Sequence, residues 1–200
     1  MERGMAADLR IVEEAKKPRS MNPKKFALWL FIVSVCMLFG AWTSAYLVKR
    51  AEPGWSSFEL PSQFWFNTGL IILSSVTMVW AHRSAKRDEL EKTKLALGLT
   101  IVLGVAFLVG QLLAYDKLIE MNYYFAGSGS NSSGSFVYVL TGFHGLHIIS
   151  GIIVLIVALV ATFKFKVHSR NMLRMELCST YWHFLGALWL YLFVFLILYR

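Results

Sequence analysis

Two histidines, His144 and His147, stand three residues apart inside FVYVLTGFHGLHIISGIIVLIVALVATF, residues 136–163, a stretch without Asp, Glu, Lys or Arg. Residues three apart on a helix share a face. Two imidazoles so placed could ligate haem, copper or zinc, contact a proton or substrate, or pack as neutral side chains. A zinc site takes four protein ligands, or three and a water, so a second helix would have to complete one. His82 and His183 are the other candidates, but both fall at the far ends of their own apolar runs. His144 lies about 12 Å, eight residues at about 1.5 Å each, from the opposite end of its run. We therefore expect His144 and His147 to be neutral, hydrogen-bonded packing residues, with Gly142, Gly145 and Gly151 admitting a neighbouring helix closely.

The elements that carry these residues are membrane helices. The 200-residue chain is 56% hydrophobic and 16% charged, with a mean hydropathy of +0.54, outside the soluble globular range. Five apolar runs, 26–48, 64–81, 95–113, 136–163 and 181–199, are each close to the roughly 20 residues that cross a bilayer as a helix. The expected fold is all-α: a charged arm over 1–25 and a five-helix transmembrane domain over 26–200. No signal peptide is expected, because the first 25 residues mix four acids with seven Lys/Arg and have no apolar core.

The net charge of +8 sits in short segments between spans, so it reads as a topology signal and not as a nucleic-acid surface. The arm, the 82–94 connection and the 164–176 connection hold seven, five and four Lys/Arg; the other side holds only Lys49, Arg50, Lys117 and Arg200. This excess places the N-terminus in the cytoplasm and the C-terminus outside. Lys- and Arg-free spans argue against an ion-driven transporter, which normally carries an ionisable group at mid-membrane.

Other features qualify the picture. Asn67, Thr68, Ser74, Ser75 and Thr77 make the second span polar, a sign of protein around it. Residues 127–135, rich in Gly and Ser, read as a flexible loop, and its sequon Asn131-Ser132-Ser133 as a chance match. Cys36 and Cys178 fall at different depths, which disfavours a disulfide. Glu176, just before the fifth span, is expected to pair with Arg170 or Arg174, or to meet a lipid headgroup or partner subunit. Tyr181 and Trp182 are expected in an interfacial belt, with the deeper aromatics packing against neighbours.

Three motifs carry a family resemblance: Thr141-Gly142-Phe143-His144-Gly145-Leu146-His147 followed by Gly151; Tyr181-Trp182-His183-Phe184 with Glu176 before and Trp189 after; and Asn67-Thr68 followed by Ser74-Ser75-Val76-Thr77-Met78 and Trp80-Ala81-His82. In this order and spacing the chain resembles subunit III of the haem-copper terminal oxidases (cytochrome c and quinol oxidases) in its short five-helix form. The resemblance implies an integral subunit of a bacterial inner-membrane, proton-pumping oxygen reductase, with haem and copper held by partner subunits and none here. It would pack beside subunit I, with subunit II and a small subunit IV as further partners, hold phospholipid, and sustain proton uptake. His144, His147, Gly142, Gly145, Gly151, Glu176, Trp182, His183, Asn67, His82, Arg170 and Arg174 would then serve packing, lipid or subunit contact. Three positions depart from the family's acids: Val35, Ala114 and Gly186. The alternatives are an accessory subunit of a nitric oxide reductase or, further off, a small membrane transporter or cofactor-handling protein.

Overall fold

A computed structural model describes residues 22–53, 55, 60–127, 131–164 and 172–199. Those residues form five α-helices: α1 Pro23–Arg50, α2 Gln63–Lys86, α3 Leu90–Glu120, α4 Ser132–Phe163 and α5 Leu173–Tyr199. All five are long and apolar enough to cross a membrane. They are also longer than a bilayer core requires, so helical turns continue past each apolar run.

The helix ends show why. At α1 the Asn22 side-chain Oδ1 accepts from the Lys24 N–H at 3.0 Å, and Pro23 occupies the first turn, where its missing N–H is harmless. The helix therefore takes in the last three residues of the expected arm, 23–25; residues 1–21 of that arm lie outside the described residues. Between α2 and α3 the chain reverses in a few residues, with Asp88 at φ 56°, so the charged 82–94 segment is mostly helical extension. α4 starts at Ser132, within the segment expected to be a flexible loop, and α5 starts at Leu173, eight residues before the apolar run. Arg170 lies outside the described residues.

Helices α2, α3, α4 and α5 form a closed ring in which each touches the next and α5 returns to α2; α1 touches only α4 and α5. Most neighbouring pairs are joined by a side-chain clasp. Thr77 and Thr100 hydroxyls join α2 to α3 at 2.8 Å, and Tyr115 and Thr141 join α3 to α4 at 2.9 Å. Ser150 and Tyr181 join α4 to α5 at 2.6 Å, and Thr43 and Tyr191 join α1 to α5 at 3.0 Å. In lipid, helices gain nothing from hiding apolar surface from water, so close packing and interhelical hydrogen bonds hold them together. The hydroxyls of the polar second span are used in this way.

Candidate functional site: the histidine-aromatic core

The ring closes around His144. Its side chain is fully buried, with ring centroids of Trp189 at 5.3 Å, Phe107 at 5.9 Å and Phe39 at 6.5 Å. The Phe107 and Phe39 contacts are edge-on, the favoured aromatic geometry. Neither Nδ1 nor Nε2 has a hydrogen-bond partner among the described residues. The packing expected of this histidine is there; the hydrogen bond expected with it finds no partner among the described residues, where α1, α3 and α5 all present aromatic rings at this level.

His147 lies on the same side of α4 but only half-buried. Its Nδ1 is 2.7 Å from the Phe143 carbonyl; a carbonyl only accepts, so Nδ1 carries the proton. Phe39 reaches both histidines, sitting 5.8 Å from the His147 ring. No three His, Cys, Asp or Glu side chains come together as a metal-holding group among the described residues.

The tryptophans of α5 anchor this core to α2. Trp189 Nε1 donates to Thr68 Oγ1 at 3.1 Å, and its ring stacks on Phe64 at 5.9 Å. Trp182 Nε1 donates to Ser74 Oγ at 3.2 Å. Trp182 and Tyr181 are buried and do not form the interfacial belt expected of them. The early start of α5 places both more than two turns into the helix.

The glycines divide into two kinds. A Cβ on Gly151 would lie 2.7 Å from Leu185 Cδ1 and 3.2 Å from the Trp182 ring, and one on Gly104 would lie 2.8 Å from Trp182. These two glycines make room for the Trp182 indole. By contrast, a Cβ on Gly142 or Gly145 would meet nothing nearer than 3.7 Å. The close helix approach expected at those two is not found. They floor an apolar groove of about 270 Å³ between α3 and α4, with Leu108, Gln111, Tyr115 and Leu146 among its walls.

A second polar contact crosses α2 and α3. Asn67 Nδ2 donates to Gln111 Oε1 at 3.3 Å, both side chains being buried. Asn67 fits only because residue 110 is glycine: a Cβ there would stand in the space of Asn67 Oδ1. The pairing of Gln111 with Asn67 depends on the register of the α2–α3 hairpin and carries no local signal in the sequence.

At the end of the bundle where α2 stops and α1 and α5 begin, Glu176 pairs with Lys25 at 2.6 Å. The expected partner Arg174 is exposed on the same helix, and the acid turns instead toward α1. His82 and Lys86 bear electrostatically on Glu176, and His82 on His183. Both histidines thus belong to this end of the bundle, apart from the His144 core. Val35 and Ala114, two of the positions that lack the family's acids, are buried at 3% and 0% exposure. A Cβ on Gly186, the third, would stand 3.1 Å from Ser75 Oγ.

The sequence model of the family described as Cytochrome c oxidase subunit III matches residues 13–200. The chain is 34% identical over 191 residues to Cytochrome c oxidase subunit 3 of Pelomedusa subrufa, covering 88% of this chain and 70% of that one. To the proteins of the same name from Myxine glutinosa and Mus musculus it is 33% and 32% identical, each match covering 85% of this chain and 67% of the relative. A five-helix membrane bundle with its histidine sealed among aromatic rings, matched along most of its length, therefore belongs to the cytochrome c oxidase subunit III family and is a membrane subunit of a respiratory oxidase complex.

Proposed function

We propose that the chain is a non-catalytic integral subunit of a proton-pumping haem-copper oxygen reductase in a bacterial inner membrane. It packs beside subunit I, neighbours subunit II and a small subunit IV, binds phospholipid, and supports proton uptake and enzyme stability. Haem and copper belong to the partner subunits. The observation that carries this reading is His144. Its imidazole is packed among the rings of Phe39, Phe107 and Trp189, contributed by three different helices. That is the surrounding of a scaffold residue.

The charge asymmetry supports an arm in the cytoplasm. The Lys25–Glu176 pair with His82, Lys86 and His183 then faces the side from which protons are taken up, and Arg174, exposed on α5, stands near the headgroups. Gly142, Gly145, Gly151, Asn67, Trp182 and His147 serve packing or contact with lipid and neighbouring subunits.

Two experiments test the reading. The chain, tagged at its N-terminus and purified from its host membrane in mild detergent, is expected to bring down a haem-copper reductase whose haem content survives removal of this chain. Stoichiometric haem bands on the isolated chain would overturn it. A reporter active only outside the cytoplasm is expected to work when fused after Arg200 and to fail within 86–92; the reverse would overturn the orientation.

A further inference from the structure

His147 lies fifteen residues from one end of α4 and sixteen from the other, near the middle of the membrane that the helix spans. Its Nδ1–H is given to the Phe143 carbonyl, so Nε2 presents a bare lone pair. Unlike both nitrogens of His144, Nε2 is not sealed inside the bundle, and no described residue bonds it. The half-buried ring sits on the α1–α4 seam, 6.3 Å from Phe31 and 5.8 Å from Phe39. Hydrocarbon offers no donor, and ionisable side chains within membrane helices almost always face protein or a water-filled cavity.

The α1 side of the seam admits a close neighbour. Phe31 and Trp42 reach α4, and Ser34, Leu38 and Ala45 each lie one turn from one of them on the same face. With Ala41 they form an exposed edge, and three of the four are small, the residue type that lets membrane helices approach. By contrast, every exposed residue of α3 between 95 and 113 is Leu or Val, a surface suited to acyl chains.

We infer that the α1–α4 seam is the docking face for a transmembrane helix of a partner subunit. That helix lies along the Ser34–Ala45 edge and gives His147 Nε2 a hydrogen bond from a neutral donor at mid-membrane, a hydroxyl, amide or indole N–H. Because the Phe143 carbonyl fixes the tautomer, the contact accepts a donor and rejects a second acceptor. The inference rests on the reading of this chain as an oxidase subunit and adds which side of it faces the complex.

The test compares two exposed positions in the intact complex. Ala41→Trp puts bulk on the docking edge, and Val105→Trp puts the same bulk on the outer face of α3. The first is expected to reach the membrane at the wild-type level yet be lost from the purified oxidase, and the second to be retained. Any other pattern of retention would overturn the inference. His147→Leu, which removes the acceptor, is expected to speed dissociation of the subunit about three- to twentyfold, the worth of one interhelical hydrogen bond in a membrane; unchanged dissociation would overturn the bond. If Ala41→Trp does not accumulate in the membrane, a structure of the wild-type complex decides. A protein donor is expected within about 2.7–3.2 Å of His147 Nε2, and an acyl chain or water alone in that place would overturn the inference. A wild-type chain that brings down no haem-copper reductase would instead remove the reading on which the inference rests.

Discussion

Helices α1 and α5 are both apolar enough to span a membrane, yet 56% of the span of α5 is buried in the bundle against 22% of that of α1. The difference lies in what each helix offers its neighbours. α5 carries two tryptophans whose N–H groups reach hydroxyls on α2, a tyrosine clasped to α4, and Gly186 against Ser75. α1 is held along one edge, by Lys25 to Glu176 at one end and, toward the other, by Thr43 to Tyr191 and Tyr46 to the Tyr199 carbonyl, less than one turn apart. Between these points aromatic rings such as Phe39 and Trp42 lie on α4. In a membrane fold hydropathy selects what is inserted; small residues and paired polar groups select what is central.

The comparison breaks most severely at Gly151. Leu there would drive its Cβ into Leu185 and Trp182 and open the α4–α5 seam. Even a bare Cβ has no room there, so a whole Leu side chain exceeds the about 1–3 kcal/mol of ordinary overpacking, and the subunit is expected to be lost from the complex on purification. Next in size, Trp189→Ala removes a buried ring and its bond to Thr68, a change that typically costs about 3–5 kcal/mol where the site cannot collapse. It is expected to lower the detergent temperature at which the subunit dissociates, whereas Trp29→Ala, on the 54%-exposed outer face of α1, leaves that temperature nearly unmoved. Equal sensitivity of the two tryptophans would erase the distinction between ring and strap.

Smaller effects belong to the strap. Lys25→Gln breaks an ion pair whose side chains are 43% and 38% exposed, worth under about 1 kcal/mol and screened by salt. Its effect on subunit retention is expected to be slight at low salt and to vanish at high salt. A large, salt-independent loss would mean that α1 is anchored chiefly at this end. Gly145→Ala faces open groove and is expected to leave retention unchanged.

The five spans were legible because runs of apolar residues free of charge have one stable solution in lipid. Their overhangs were less so, since polar turns such as 82–86 and 173–180 continue a helix through backbone bonding that hydropathy does not register. The histidine-glycine face of α4 was legible as a packing surface. Which glycine touches a neighbour was not: Gly142, Gly145 and Gly151 look alike in sequence, and only the position of the Trp182 indole separates them. The pairing of Glu176 with a lysine 151 positions earlier depends on where α1 leans, which no local pattern encodes.

The central claim is that His144 fills space and does no chemistry, and His144→Leu tests it most directly. Leucine keeps an apolar body among Phe39, Phe107 and Trp189 and removes two buried nitrogens without partners among the described residues, each a desolvation cost of about 1–3 kcal/mol. In the purified oxidase, the account predicts subunit retention at or above the wild-type level, with oxygen consumption and haem content unchanged, and lower retention for His144→Gln, which puts unpaired polar atoms back. A fall in oxygen consumption in His144→Leu, with the subunit still bound and haem unchanged, would contradict it.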